Sequence, residues 1–216
     1  MQKLLDYKKG VELFKKYKIK IPKGKLVKSK EEAAGYVEKI GYPLVLKLIS
    51  KDISHKTDAN VIFTNINSKE ELLKRYDLAV KNAKKYNKKA KIQGILIQKM
   101  VLSDIALILG AKRDDTFGDV VIAGSGGIYT EILKDISMRI CPITKKDAFE
   151  MLAETKIYDA LKGYRNKKIN LNNVVDVILK LAKIIEKNKD VKEIDVNPLF
   201  VLENDVAAAD IRIISD

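Results

Sequence analysis

The sequence is poor in cysteine and lacks long apolar runs. Its 216 residues include one cysteine, Cys141, so no disulfide can form within the chain. No apolar stretch approaches the roughly 20 residues that a membrane-spanning helix needs, and the run at residues 178–185 is interrupted by Lys180 and Lys183. Residues 1–6 contain no apolar signal segment. These absences exclude a disulfide framework and a membrane span, and they predict a cytoplasmic location.

Histidine is equally scarce. The only one, His55, follows the apolar run at residues 44–49 within a polar segment. A neutral imidazole can accept and release a phosphoryl group near pH 7 through a ring nitrogen, so His55 is the first candidate for covalent chemistry. The alternative is an ordinary surface or hydrogen-bonded loop histidine.

Positive charge is abundant. The chain has 42 lysines and arginines against 29 acidic residues, a formal net charge of +13. Such a balance favours polyanionic partners, namely nucleotides, coenzyme phosphates or nucleic acid. The densest basic stretch, residues 81–91, has Tyr86 as its only aromatic residue. Because one aromatic residue makes a poor base-reading surface, a solvated helix end is favoured over a nucleic-acid site.

Helices and strands alternate along the chain without repeats or a Pro/Gly-rich linker, which predicts an α+β protein. Two Ser-x-x-Glu patterns, at residues 29–32 and 68–71, are typical of capping boxes at helix starts. We expect two α+β lobes, residues 1–97 and 98–216, with a cleft between them. Further predicted helices span residues 3–17 and 172–187, with another starting at Thr144. Predicted strands span residues 24–28, 44–49, 60–64, 94–101, 105–111, 119–123, 193–196, 199–202 and 206–214.

Two features predict sites for an anion. Lys47 lies inside an otherwise apolar strand, where an uncompensated ammonium is costly, so its side chain must reach either water or an anion. The segment Gly124-Ser125-Gly126-Gly127 can present several backbone N–H groups in one direction, because glycine accepts positive φ and has no side chain to hold an oxyanion away. A solvent-facing Lys47 and a plain tight glycine turn are the alternatives.

Three oxygen-bearing side chains cluster near the end of the sequence. Asp195 and Asn197 are two residues apart and share one face of a predicted strand, and the turn at residues 203–205 can fold Asp210 back beside them. Carboxylate and amide oxygens suit Mg²⁺. A structural hydrogen-bonded turn is the alternative.

Six segments, in order and covering nearly the whole chain, resemble the ATP-grasp subunit of NDP-forming acyl-CoA synthetases, and most of all the β subunits of ADP-forming acetate–CoA ligases. They are residues 41–47 (Gly-Tyr-Pro-Leu-Val-Leu-Lys), 54–58 (Ser-His-Lys-Thr-Asp), 115–118 (Asp-Thr-Phe-Gly), 126–131 (Gly-Gly-Ile-Tyr-Thr-Glu), 134–137 with Arg139, and 193–199 (Glu-Ile-Asp-Val-Asn-Pro-Leu).

The resemblance implies an ATP-grasp fold with the nucleotide in the cleft between the two lobes. It implies ATP or ADP, phosphate and Mg²⁺ as ligands, and the reaction acetyl-CoA + ADP + phosphate = acetate + CoA + ATP. It also implies a separate α subunit that carries the CoA-binding domains and a first phosphohistidine, in an α2β2 assembly. Neither a membrane nor nucleic acid is expected as a partner.

The resemblance also assigns roles to single residues. His55 matches the second histidine, which takes the phosphoryl group and delivers it to ADP, and Asp195 is a possible further acid. Asn197 and Asp210 match metal positions. The nucleotide-binding set comprises Lys47 at the phosphates, the hinge residues Gln98, Lys99, Met100 and Val101 at adenine, Asp104, and the glycine pair Gly126 and Gly127.

The chain departs from the family pattern at several positions. Ala59 and Asn60 stand where relatives have paired glycines, and Asp115 and Asp119 stand where prolines are usual. Ala106 stands where a glutamate is common, with Asp104 as its substitute. One rival interpretation is a stand-alone ATP-grasp carboxylate ligase, which would not need His55. The other is a basic nucleic-acid-binding module that uses residues 81–91.

Overall fold

A computed structural model describes residues 3–53, 56–127, 135–163 and 169–216. The chain divides into two compact units. We call residues 22–101 the four-stranded unit, and residues 1–21 together with 102–216 the seven-stranded unit, after the strands counted over the described residues. No helix within these ranges is long and apolar enough to cross a bilayer.

The elements alternate as an α+β chain should. The strands are β1 Lys3–Leu4, β2 Gly24–Val27, β3 Leu44–Ser50, β4 Ile62–Ile66, β5 Ile92–Lys99, β6 Ile105–Asp114, β7 Gly118–Ser125, β8 Ile136–Ile140, β9 Val191–Val201, β10 Val206–Ala208 and β11 Ile211–Ser215. The described helices are α1 Tyr7–Lys16, α2 Lys30–Ile40, α3 Lys69–Tyr86, α4 Lys145–Ala153, α5 Tyr158–Leu161 and α6 Leu171–Lys187.

The four-stranded unit is an antiparallel sheet in the order β2-β5-β3-β4, with α2 and α3 packed on one face. Leu44, Leu46 and Leu48 point to that face and are buried with residues of both helices. Because successive side chains of a strand point to opposite faces, Lys47 lies on the other face of the sheet.

Serine caps begin both helices of this unit, as the sequence predicts. The Ser29 hydroxyl accepts the Glu32 N–H at 3.2 Å, and the Ser68 hydroxyl accepts the Glu71 N–H at 3.1 Å. In each case the glutamate carboxylate accepts an N–H from the residue before the cap, that of Lys28 or Asn67. The glutamates therefore secure the incoming chain as well as the first turn.

The seven-stranded unit is also antiparallel, in the order β1-β11-β9-β6-β7-β8, with β10 paired to β9. Helix α6 packs across β6, β7 and β9, and α4 packs on α6. Alternate residues of the central strands, among them Leu107, Leu109, Ile194 and Val196, are buried in this core. Their neighbours, including Asp195, consequently lie on the opposite face of the sheet.

The terminal strands differ from the prediction in one informative way. Residues 193–196 and 199–202 belong largely to one long strand, β9, whereas the predicted strand 206–214 is two strands, β10 and β11. Both pair with β9, and the interruption at Ala209 and Asp210 lies beside Asn197 and Pro198. One long strand can serve as partner to both, so apolar periodicity alone does not reveal the break.

Two other predicted boundaries need correction. The helix expected from residue 3 begins at Tyr7, because residues 3–4 form β1 against β11 and the Asp6 carboxylate caps the helix by accepting the Lys8 N–H at 2.9 Å. The strand expected from residue 60 begins at Ile62, because Asn60 has a left-handed φ of +50° that a strand does not accommodate.

The structure divides the chain after residues 21 and 101, whereas the sequence predicted a single boundary between residues 97 and 98. Residues 1–21 cluster with residues 102–216 because β1 pairs with β11 and Phe14 of α1 is fully buried in the core of the seven-stranded unit. The four-stranded unit is thus inserted in sequence between two parts of the seven-stranded unit.

Candidate functional site

The glycine segment lies at the end of β7, where close backbone approaches require glycine. A Cβ atom added to Gly126 would lie 2.3 Å from the carbonyl carbon of Leu107, and one added to Gly124 would lie 2.0 Å from the Asp135 carbonyl oxygen. The Gly126 N–H donates to the Ala106 carbonyl at 2.8 Å, and the Gly127 N–H donates to Asn197 Oδ1 at 2.9 Å. These N–H groups hold the segment against the sheet.

The predicted metal ligands are neighbours on the terminal strands. The Asn197 N–H donates to the Asp210 carbonyl at 3.2 Å, across the interruption between β10 and β11. Asp195 lies two residues earlier on β9, on the face away from the helices. In the strand register it lies opposite Arg212 of β11. All three side chains are partly exposed. The structure therefore brings together the three residues that the sequence grouped.

The donor chemistry of these three residues fits Mg²⁺. They offer two carboxylates and one amide oxygen, the hard ligands that Mg²⁺ prefers, and a magnesium site built on one or two carboxylates completes its shell with water and phosphate. Within the described ranges, no group of three or more His, Cys, Asp or Glu side chains is arranged to hold a metal. Asn197 and Asp210 therefore remain predicted magnesium ligands.

Lys47 is buried, not solvent-facing. Lys47 is 6% exposed, and its Nζ donates to Oε1 of Gln98 at 3.3 Å. Gln98 is 2% exposed, and its amide group donates in turn to the Pro22 carbonyl at 3.4 Å. The two residues are diagonal neighbours on β3 and β5, since Gln98 lies opposite Val45. The neutral Gln98 amide oxygen is therefore one partner of the buried Lys47 ammonium.

The predicted hinge, residues 98–101, forms the carboxyl-terminal end of the four-stranded unit. The Lys99 N–H donates to the Lys23 carbonyl at 2.8 Å and the Met100 N–H donates to the Pro43 carbonyl at 3.1 Å, while Lys99 Nζ contacts the Tyr42 carbonyl. The boundary between the units falls directly after Val101. The segment therefore has the place in the chain expected of a hinge, and its recognition of adenine stays a prediction.

Asp104 and Ala106 lie at the start of β6. Asp104 is exposed immediately before the strand, and Ala106 is partly exposed opposite Phe200 of β9. Asp104 is therefore more exposed to solvent than Ala106. The nucleotide contact assigned to Asp104 stays a prediction.

His55 and Ser54 lie outside the described residues, but the chain on both sides of them is anchored. Ile53 and Ala59 are buried in the core of the four-stranded unit. The Asn60 N–H donates to the Thr57 carbonyl at 2.9 Å, with a φ of +50° at Asn60. Asparagine tolerates this left-handed conformation better than most residues do. Asn60 therefore meets a backbone requirement at a position where the family pattern has glycine.

Sequence reasoning missed the contact between Ser125 and Asp135. The Ser125 hydroxyl donates to Asp135 Oδ2 at 2.5 Å, and the Lys156 and Ile157 N–H groups donate to the same carboxylate at 2.8 and 3.2 Å. Burial raises the pKa of Asp135, but these hydrogen bonds outweigh it and bring the pKa below its ordinary value. Both residues lie in segments that the sequence analysis singled out, residues 124–127 and 134–137, but nothing in the sequence indicated that they contact each other.

Comparison with known proteins decides the family. The model of the ATP-grasp domain matches residues 1–214. The chain belongs to the ATP-grasp family. It is 42% identical over 207 residues to the β subunit of ADP-forming acetate–CoA ligase II from Pyrococcus furiosus, covering 94% of this chain and 88% of that protein. The resemblance read from the motifs and the expected ATP-grasp fold are both confirmed.

A longer relative contains a similar segment within one chain. The ADP-forming 4-hydroxybutyrate–CoA ligase of Nitrosopumilus maritimus is 40% identical over 195 residues, which make up 90% of this chain and 28% of that protein. Relatives of this ATP-grasp chain thus occur both as a separate β subunit and as part of a longer polypeptide.

Solved structures of a dinucleotide-forming acetyl-CoA synthetase from Candidatus Korarchaeum cryptofilum share the fold. Its complex with coenzyme A, Ca-AMPCP and HgCl⁺ has a TM-score of 0.93 at 32% identity, covering 99% of this chain and 94% of that one. Its complex with coenzyme A and Mg-AMPPCP, with a phosphohistidine segment pointing towards the nucleotide binding site, has a TM-score of 0.83 at 30% identity, covering 99% and 93%.

Proposed function

We propose that this chain is the nucleotide-binding β subunit of an ADP-forming acyl-CoA synthetase that acts on acetyl-CoA. The overall reaction converts acetyl-CoA, ADP and phosphate to acetate, CoA and ATP in the cytoplasm. The observation that carries the proposal is the match to a β subunit of ADP-forming acetate–CoA ligase over 94% of the chain at 42% identity. The burial of Lys47 and the grouping of Asn197 with Asp210 support it independently.

His55 is the proposed carrier of the phosphoryl group. A ring nitrogen of neutral His55 attacks the phosphorus of a phosphohistidine on the partner, so that one N–P bond forms while the other breaks and the partner's imidazole leaves. A terminal phosphate oxygen of ADP then attacks the phosphorus on His55, which returns the imidazole and yields ATP. The reverse sequence of steps phosphorylates His55 from ATP.

The remaining residues stabilise negative charge. Lys47 places an ammonium in a buried setting, where its attraction for a nucleotide phosphate is stronger than in water. Asn197 and Asp210, with Asp195 nearby, would hold Mg²⁺, which neutralises charge on the phosphates when bound. Gln98 orients Lys47 through the 3.3 Å hydrogen bond. Residues 99–101, Asp104, Gly126 and Gly127 complete the proposed nucleotide-binding set.

The partner is proposed to be an α subunit that carries the CoA-binding domains and the first phosphohistidine, in an α2β2 assembly. Two facts support a partner. The Pyrococcus relative is named as a β subunit, and the ATP-grasp segment makes up only 28% of the longer Nitrosopumilus ligase.

Reconstitution tests this proposal. The purified chain is mixed with its candidate α subunit, acetyl-CoA, ADP, phosphate and Mg²⁺, and ATP formation is measured for the wild type and for His55→Asn. We expect ATP only when both subunits are present, and none with His55→Asn, although this variant still binds Mg-AMPPCP. A His55→Asn chain that forms acyl phosphate at the wild-type rate would favour the stand-alone carboxylate ligase.

The nucleic-acid alternative depends on the basic stretch at residues 81–91. The lysines of residues 81–91 are exposed at and beyond the carboxyl end of α3, where positive charge complements the helix dipole. This placement is the one that the solvated-helix-end interpretation predicts. Steep salt-dependent binding to oligonucleotides, without affinity for ADP or ATP, would reverse this preference.

A further inference from the structure

Asp135 is a buried acid that holds two separate parts of the seven-stranded unit together. It is 7% exposed. Its carboxylate accepts the Ser125 hydroxyl and the N–H groups of Lys156 and Ile157, and its own carbonyl accepts the Ser125 N–H at 3.0 Å. Ser125 is therefore fixed twice, once through its backbone and once through its side chain.

Hydrogen bonds at both ends of the backbone segment 125–127 link this acid to the predicted metal ligands. Ser125 is followed by Gly126, which is tied to the Ala106 carbonyl, and then by Gly127, whose N–H donates to Asn197 Oδ1 at 2.9 Å. Gly126 has little room to shift, because its Cα approaches the backbone of Leu107 too closely to accept a Cβ. The position of Ser125 thus limits where the Gly127 N–H can point.

The Gly127 N–H in turn determines which atom of Asn197 faces the glycine segment. An asparagine amide has one oxygen that accepts and one nitrogen that donates. If the amide group were flipped, two donors would face each other, so the N–H of Gly127 selects the orientation with Oδ1 toward it. A carbonyl oxygen has two lone pairs and can accept this hydrogen bond while it binds a cation.

We infer that Asp135, acting through Ser125 and Gly127, is a positioning residue that orients the Asn197 oxygen for Mg²⁺. This inference rests on the proposed function, since it assumes that Asn197 binds the magnesium of a nucleotide complex. Groups that hydrogen-bond to metal ligands fix the orientation of those ligands and so raise metal affinity. Asp135 does this at a distance, through Ser125 and the glycine segment.

The chain offers a matched pair of serines for the test. Ser125→Ala removes the link between the acid and the glycine segment. Ser137→Ala is the control, because the Ser137 hydroxyl donates to Glu154 Oε2 at the same distance of 2.5 Å, and the two serines are 6% and 7% exposed. Binding of AMPPCP to the full chain is measured by calorimetry over a series of Mg²⁺ concentrations, and thermal stability is measured alongside.

We expect Ser125→Ala to raise the Mg²⁺ concentration at half-saturation roughly tenfold, the low end of the loss seen when a partner of a metal ligand is removed. At saturating Mg²⁺ its AMPPCP affinity should return to the wild-type value. Ser137→Ala should lower thermal stability to a similar extent without changing the Mg²⁺ dependence. Equal Mg²⁺ dependence in the two variants would overturn the inference.

A double-mutant cycle adds an independent criterion. Asp135→Asn places an NH2 group toward an N–H donor, and it should raise the half-saturating Mg²⁺ concentration in the wild-type background but much less in the Ser125→Ala background, since both changes break one path. If the two substitutions had strictly additive effects on the half-saturating Mg²⁺ concentration, the proposed path from Asp135 to Asn197 would be contradicted. If the wild-type chain bound AMPPCP with no Mg²⁺ dependence, the proposed function would fail, and this inference with it.

Discussion

At the scale of single residues, the most strongly perturbed carboxylate in the described chain belongs to a structural ion pair. Glu154 receives hydrogen bonds from Arg139 and from the Ser137 hydroxyl, and together they lower its pKa to about 2. The cluster joins β8 to the carboxyl end of α4. Its location on the edge strand β8 indicates a role in stability, distinct from the proposed chemistry.

The Glu154 pKa gives a prediction for acid stability. Because its pKa falls from 4.5 to about 2 on folding, the carboxylate stabilises the fold above pH 4.5, and this contribution is lost as the pH falls toward 2. The side chain is 51% exposed, so the effect is screened. Glu154→Gln should lower Tm near neutral pH by roughly 1–3 °C, since exposed pairs contribute about 1 kcal/mol at most.

Thermal melts between pH 2 and 6 check this prediction, with Glu150→Gln as the control on the same helix. The decline of Tm with falling pH should be shallower in Glu154→Gln than in Glu150→Gln. Identical slopes in the two variants would contradict the role assigned to Glu154.

Local patterns explain which residues the sequence could predict. The Ser29 and Ser68 caps and the pairing of Asn197 with Asp210 depend on short spacings or one hairpin, so the sequence contains the information. The contacts of Asp135 join residues 10 to 22 positions away, at the end of β7 and in the turn between α4 and α5. No spacing rule specifies such contacts, because they arise from how the elements pack.

At the scale of elements, two glycines should respond oppositely to the same substitution. Gly35 is exposed within α2 and has no atom within 4 Å of an added Cβ, so Gly35→Ala should stabilise the protein by about 0.5–1 kcal/mol. Gly126→Ala would place a Cβ against the Leu107 backbone and should destabilise the protein and weaken Mg-AMPPCP binding. Urea unfolding of both variants measures the difference, and a stabilising Gly126→Ala would refute the packing described for the glycine segment.

Strand boundaries were harder to predict than strand existence. Residues 206–214 are apolar enough to suggest one strand, but the pairing of β10 and β11 with different parts of β9 leaves Ala209 and Asp210 outside both. The register of the hairpin, in which Ala208 lies opposite Leu199 and Ile211 lies opposite Val196, places Asp210 next to Asn197. The interruption that periodicity failed to predict lies at the candidate metal site.

At the scale of the whole molecule, the first 21 residues belong to the seven-stranded unit. No local feature of the sequence indicates this, because residues 18–24 have no linker composition and the partner strand β11 is about 210 residues away along the chain. Long-range strand pairing is set by the complete fold, and a sequential division into two lobes could not anticipate it.

This arrangement predicts where a core substitution acts. Phe14→Ala should cost about 3–5 kcal/mol and should reduce amide protection within residues 102–216 more than within residues 22–101. Leu72→Ala, equally buried in the four-stranded unit, should show the reverse pattern. Hydrogen exchange measured by mass spectrometry distinguishes the two. Loss of protection confined to residues 22–101 in Phe14→Ala would contradict the assignment of residues 1–21.

The central claim is that His55 accepts and passes on a phosphoryl group, and transfer of radiolabel tests it most directly. The full chain is incubated with its α subunit, Mg²⁺ and ATP labelled at the γ-phosphate, and is then chased with unlabelled ADP. The account predicts an acid-labile, alkali-stable label on the peptide that contains His55, which ADP removes and which His55→Asn abolishes. A chain that stays unlabelled, or a label that persists in His55→Asn, would contradict it.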